Sequence, residues 1–172
     1  MKSKRGFTLI ELLIVIALLG ALAVGLIGAI DPFEQLKKGT DTGLRDLVNQ
    51  VQTAIIRYYS VKNAMPFAAD PASTDLETPP MVVAISNMVA AGELRSDFTT
   101  IQAGSLNKVW VTGTGAVAGE EPTAVVCYSP NSKSFQADPN TKYLKSGALA
   151  IGTLNCKSAT PPGPDSCYWC IQ

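Results

Sequence analysis

Two groups of residues in this sequence could do chemistry: one carboxylate inside an apolar stretch, and four cysteines. Glu11 lies in the apolar run 7–30, where Thr8 is the only other polar side chain. The cysteines all fall in the distal half of the chain, at Cys127, Cys156, Cys167 and Cys170. The chain has no histidine, which removes the commonest general base and the commonest metal ligand. Catalysis would therefore need paired carboxylates, a Ser/Lys pair or cysteine alone.

The Glu11 carboxylate carries a large free-energy cost at this position, because placing an ionised carboxylate in hydrocarbon costs several kcal/mol. It therefore needs a positively charged partner, and cleavage between Gly6 and Phe7 would supply a free α-amine at Phe7. Within one straight helix this amine lies about one turn from Glu11, which is a poor geometry for a tight bond. An amine from a neighbouring copy could meet the carboxylate directly. Such a pair would satisfy both buried charges only after assembly and would set the stagger between subunits.

The apolar run 7–30 is long enough to cross a membrane. At about 1.5 Å per residue it reaches roughly 36 Å, against a hydrocarbon core of about 30 Å. Lys2, Lys4 and Arg5 precede it, and positive flanks stay in the cytoplasm, so the rest of the chain should face outward. A secretory signal has a shorter apolar part, of about 7–15 residues. A plain signal anchor and an atypical signal peptide are the alternative interpretations.

The segment KSKRGFTLIELLIVIALLGALA resembles the class III signal of type IV prepilins and of the pseudopilins of type II secretion. In that family a membrane peptidase cuts after the glycine, and the new N-terminal residue is methylated. The resemblance implies that residues 1–6 are a cleaved leader, that Gly6 and Phe7 flank the cut, and that Phe7 is N-methylated. It makes Glu11 the assembly glutamate. The implied partners are a prepilin peptidase/methyltransferase, the membrane, other pilins and further copies of this chain.

The apolar helix, at 7–31, should give way to a second helix at 32–62. Pro32 interrupts the first helix, and Asp31 with Glu34 predicts a capping box at the start of the second. Apolar residues then recur at steps of three and four, with charged residues such as Asp41 and Arg45 on the polar face. This pattern predicts an amphipathic helix lying on a folded domain, with a coiled coil as the alternative.

The remaining chain predicts a loop followed by a small sheet. A variable loop with a short helix should occupy 63–104, and an antiparallel sheet head with a disulfide-tied tail should occupy 105–172. The predicted strands lie at 107–112 and 123–129, with weaker ones near 134–136 and 142–144. The fold class is therefore α+β. The resemblance implies a long N-terminal helix, half transmembrane and half amphipathic, packed on a small antiparallel β-sheet head.

An even number of cysteines beyond a membrane segment suits an oxidising compartment and structural disulfides. Sequence allows three pairings. We favour Cys127–Cys170 with Cys156–Cys167, because this avoids closing the tight ring of the C-x-x-C segment. A thiol–disulfide exchange site at Cys167 and Cys170 would need a thioredoxin-like context. A four-thiolate zinc site would need a second C-x-x-C. Neither is present, so we expect no metal and no cofactor.

The charges limit the partners: 14 basic residues balance 14 acidic ones. This balance disfavours nucleic acid as the main partner, although a DNA-uptake role through a local patch stays open. We expect a structural subunit of a type IV pilus-like surface filament, not an enzyme, with a type II secretion pseudopilin as the alternative. Pseudopilins of the major type often carry a calcium loop near the C-terminus, but residues 155–172 of this chain hold one acid, Asp165, which is too few for such a loop. The resemblance therefore favours the pilus. The precursor should be a single-pass membrane protein with a cytoplasmic N-terminus, and the assembled product should be a cell-surface filament.

Overall fold

The structure is a computed structural model that describes residues 6–29, 31–115, 122–149 and 167–172. The chain divides into two compact units, the first ending at Leu36 and the second beginning at Lys37.

The first unit contains helix α1, Leu9–Ala29. Every side chain described between residues 9 and 28 is exposed, and nearly all of them are leucine, isoleucine, valine or alanine. A helix that is apolar on all sides suits a lipid or protein environment, not water. The segment Leu9–Gly28 is long and apolar enough to cross a membrane. α1 is thus a candidate membrane anchor.

Helix α2, Pro32–Lys62, begins where the sequence predicts a break. The Asp31 carboxylate accepts hydrogen bonds from the backbone N–H groups of Phe33, at 3.1 Å, and Glu34, at 3.3 Å. Asp31 is therefore the N-cap, and Pro32 takes the first helical position, where its missing N–H costs little.

The second unit is built around one apolar core between α2 and a sheet. Most of the predicted apolar stripe of α2 is buried there against the inner face of the sheet. The buried apolar residues of α2 are Leu44, Leu47, Val48, Val51, Ala54 and Ile55. Leu36, at the start of the predicted stripe, is exposed. The sheet residues that pack with them include Val109, Val111, Val126 and Tyr128. Burial of this apolar area is the main force that holds α2 to the sheet.

The sheet has five strands in the order β1-β2-β3-β5-β4, and every neighbouring pair is antiparallel. The strands are β1 Thr74–Asp75, β2 Val109–Thr114, β3 Thr123–Tyr128, β4 Thr141–Tyr143 and β5 Tyr168–Ile171. The predicted α+β class, with a long N-terminal helix and a small antiparallel sheet, is confirmed.

Short helices fill the connections of the second unit. They are α3 Pro79–Ala90, α4 Phe98–Ile101, a 3₁₀ turn at Leu106–Lys108 and α5 Lys133–Gln136. α3 lies within 63–104, where a short helix was predicted, and Gly92, with φ of +80°, follows its end. The short edge strand β1 within the predicted loop was not foreseen.

One strand predicted in the head was wrong, and one observed strand was not predicted. The segment 134–136 is helical, because the Ser132 hydroxyl accepts a hydrogen bond from Phe135 N–H at 3.4 Å and caps α5. The C-terminal tail, for which no strand was predicted, forms β5. Its strand follows from pairing with β3, in which Cys127 lies opposite Cys170.

Gly147→Ala should destabilise the second unit. Gly147 has φ of +81°, and an added Cβ would lie 2.5 Å from Cγ1 of Val125. Backbone strain and overpacking together should cost about 1–3 kcal/mol of unfolding free energy. Gly43→Ala, at an exposed helical position where an added Cβ meets nothing within 4 Å, should instead stabilise by about 0.5–1 kcal/mol. Denaturant unfolding in detergent micelles, followed by tryptophan fluorescence, compares the two variants. Equal midpoints for them would contradict this packing.

Candidate functional site

The predicted cleavage site lies just outside the first helix. Gly6 and Phe7 have no regular secondary structure and are exposed, and α1 begins two residues later at Leu9. An added Cβ at Gly6 would meet nothing within 4 Å. The fold itself therefore does not require glycine at this position.

The Glu11 carboxylate has a partner within its own chain. Oε2 of Glu11 accepts hydrogen bonds from the backbone N–H of Thr8 at 2.8 Å and from the Thr8 hydroxyl at 2.7 Å. The Thr8 hydroxyl oxygen in turn accepts a hydrogen bond from the Glu11 N–H at 3.3 Å. These reciprocal bonds form a capping box that starts α1 at Leu9.

Sequence reasoning missed Thr8, although the T-x-x-E spacing of Thr8 and Glu11 is itself the capping-box signal. The two donors from Thr8 are neutral, so they solvate the carboxylate without cancelling its charge. Among the residues that the structure describes, no lysine or arginine forms an ion pair with Glu11. Glu11 thus has its hydrogen bonds within the chain, but no counter-charge among those residues.

The sheet positions two of the four cysteines. Cys127 on β3 and Cys170 on β5 lie directly opposite each other and form a disulfide. This is the bridge that the sequence analysis favoured. Cys167 is also disulfide-bonded, but Cys156 lies outside the described residues, so the Cys156–Cys167 pair stays a prediction.

The outer face of the sheet, opposite α2, surrounds this disulfide with aromatic side chains. The Trp110 and Tyr168 rings meet edge to face with centroids 5.3 Å apart, and Nζ of Lys145 lies 4.7 Å from the Trp110 ring centre. Trp169, on the other face, packs against the apolar core. Tyr168 and Trp169 are therefore both part of the sheet packing.

The two alternative roles for the cysteines do not fit this arrangement. The Cys170 sulfur is bonded to Cys127, so Cys167 and Cys170 are not a paired dithiol. The same bond removes two ligands from the imagined four-thiolate zinc site. Within the described part of the chain, no cluster of three or more His, Cys, Asp or Glu residues could hold a metal ion.

Comparison with known proteins identifies the N-terminal segment. Residues 1–27 match the prokaryotic N-terminal methylation motif, which is the class III prepilin signal of the type IV pilin family. No curated protein and no solved structure matches the chain. The matched segment contains Gly6, Phe7, Thr8 and Glu11.

Removing the bridge with Cys127→Ala and Cys170→Ala together should cost about 2–4 kcal/mol of unfolding free energy, because the disulfide restricts the unfolded chain. The denaturant midpoint measures this loss, and an unchanged midpoint would contradict it.

Alkylation without reductant, read by mass spectrometry, should leave both cysteines, Cys127 and Cys170, unlabelled in the wild-type chain. After reduction and unfolding, both should be labelled.

Proposed function

We propose that this chain is a structural subunit of a type IV pilus-like surface filament. The precursor is held in the membrane by α1, with its N-terminus in the cytoplasm. A prepilin peptidase removes residues 1–6 and methylates Phe7, and the mature subunit polymerises through α1. The observation that carries the proposal is the methylation motif at 1–27, with Glu11 inside an apolar helix.

The exposed surface of α1 supports polymerisation. The second unit buries its own apolar core, whereas α1 leaves large apolar side chains such as Leu13, Ile16 and Leu22 more than half exposed. A surface of this kind is covered either by lipid or by other apolar helices. A subunit that starts in the membrane and ends in a filament core would exchange the first environment for the second.

The Glu11 charge supports a specific alignment between copies. Thr8 supplies hydrogen bonds to Oε2 but no positive charge. A cleaved neighbour would bring an α-amine at Phe7, which could approach the remaining carboxylate oxygen. An ion pair shielded from water is favourable only with good geometry, so it would fix one axial stagger of neighbouring helices.

A pseudopilin of type II secretion is the second candidate, because it shares the motif, the cleavage and the role of the glutamate. Residues 155–172 hold a single acid, Asp165, which is too few for a calcium loop and so favours the pilus. The neighbouring genes discriminate between them. A retraction ATPase beside this gene would support the pilus, and secretin-linked secretion components would support the pseudopilin.

Gly6→Ser should block removal of the leader while leaving the fold intact, because an added side chain at this exposed position meets no neighbour. The mass of the purified N-terminal peptide reports the outcome. The wild-type chain should begin at a methylated Phe7, and the variant at Met1. Gly43→Ala, a glycine replacement remote from the cut, should be processed normally. A wild-type protein that retains residues 1–6 would refute the proposed processing.

Glu11→Ala should leave cleavage and membrane insertion largely intact but block or slow filament growth, because the counter-charge for the neighbouring amine is lost. Glu11→Gln is the matched control, since glutamine at this helix position can keep the capping box with Thr8 without the charge. Sheared filament yield, in cells without the wild-type subunit, should be low for both variants. Normal yield from Glu11→Gln would show that the hydrogen bonds matter and the ion pair does not.

A further inference from the structure

Asp41 is a fully buried carboxylate at the point where α2 first packs against the rest of the second unit. The sequence placed it on the polar face of the helix, yet it is 0% exposed. Its oxygens accept hydrogen bonds from the N–H of Asn131, at 3.0 and 3.1 Å, and from the N–H of Ser132, at 2.7 Å. Buried carboxylates persist only with such donors. Asp41 therefore ties α2 to the connection between β3 and β4, which contains α5.

Arg45, one turn further along α2, makes a second attachment to the same connection. Its guanidinium forms an ion pair with Asp138 at 2.7 Å. The guanidinium carbon also lies 5.0 Å from the Phe135 ring centre and 4.5 Å from the Trp169 ring centre. Trp169 precedes Cys170, whose disulfide joins β5 to β3. Arg45 thus links α2 to a strand that is itself covalently secured.

We call these groups the clasp, which consists of Asp41, Arg45, Asn131, Ser132 and Asp138. The connection that the clasp holds is braced by its own hydrogen bonds. The side-chain N–H of Gln136 donates to the Pro130 carbonyl at 3.0 Å, and the Thr141 hydroxyl donates to the Phe135 carbonyl at 2.7 Å. Because these hydrogen bonds make the connection rigid, it deforms little under force. Force applied to α2 therefore acts on the clasp bonds themselves.

The charge on Asp138 is stabilised in place. The backbone N–H of Asn140 donates to this carboxylate at 2.9 Å and, with Arg45, lowers the pKa of Asp138 below its ordinary value. A lowered carboxyl pKa keeps the ionised form at neutral and mildly acidic pH. The ion pair with Arg45 therefore persists across that range.

We propose that the clasp is a mechanical attachment, which resists separation of α2 from the head when the chain is pulled through its first helix. The chain leaves the first unit at Leu36, and Asp41 is the first buried residue of α2. Tension that enters from α1 thus meets the clasp before the apolar core. This inference rests on the proposed function, because tension would reach α2 through α1 only in a filament whose subunits are held by their first helices.

The chemistry of the clasp suits this role. Hydrogen bonds and ion pairs are directional and weaken steeply once donor and acceptor separate beyond about 3.5 Å. Apolar burial is non-directional and is lost gradually with exposed area. A bond that breaks over a short distance needs a larger force for the same energy. Polar bonds at the first buried residue of α2 and one turn beyond it therefore protect the apolar contacts behind them.

Pulling single molecules tests the proposal. The full chain in detergent micelles is held by cysteine-free peptide tags at its two ends, and the rate of the first opening event is measured at constant force. Asp41→Asn replaces one acceptor oxygen with a donor that faces a backbone N–H. It should speed the first opening about tenfold, as expected for the loss of one charge-assisted hydrogen bond. Arg45→Lys, a milder change that keeps the charge but loses the planar stacking, should also speed it.

Ile55→Val is the matched control, because it removes one buried methyl group from the far half of α2. Its denaturant midpoint should fall, while the rate of first opening under force stays near that of the wild type. If the clasp variants speed opening no more than Ile55→Val does at an equal loss of midpoint, the clasp has no separate mechanical role. The measurement uses isolated subunits, so this failure would leave the proposed filament untouched.

Discussion

A negative charge must be accommodated in a helix whose other residues, from Leu9 to Gly28, are all apolar. Thr8 satisfies the hydrogen-bonding needs of one Glu11 carboxylate oxygen, because its two donors bond to that oxygen and start the helix. These donors are neutral, so the negative charge of Glu11 stays uncompensated. In the proposed filament, a second, processed copy would offer both a cation and an apolar helix. Assembly would then provide the counter-charge and cover the exposed apolar surface in one event.

The two units differ in how their stability arises. The second unit buries its own core, closes its last strand with Cys127–Cys170 and pairs its strands internally. The first unit consists mainly of one exposed apolar helix and depends on lipid or on neighbours. In the proposed filament, a head that is stable by itself would remain folded while its helix moved from the membrane to the filament. The polar bonds of Asp41 and Arg45 lie on α2, shortly after the boundary between the two units along the chain.

Sequence patterns predicted the elements that local periodicity determines. The apolar run gives α1, Asp31 and Pro32 give the break, and three- and four-residue spacing gives α2. Strands β2 and β3 follow from their β-branched residues. The misses depend on contacts between distant parts of the chain. The capping serine turns 134–136 into a helix, pairing with β3 makes a strand of Tyr168–Ile171, and donors from residues 131 and 132 bury Asp41. Local sequence patterns do not indicate which distant residues will be in contact.

The most direct test of the account is a reconstruction of the natural filament at a resolution that shows side chains. The measured quantity is the distance from the Phe7 amine nitrogen to the nearest Glu11 carboxylate oxygen of another subunit. The account predicts a distance within about 4 Å, the range of an ion pair. A filament in which every Phe7 amine lies farther than this from all neighbouring Glu11 carboxylates would contradict it.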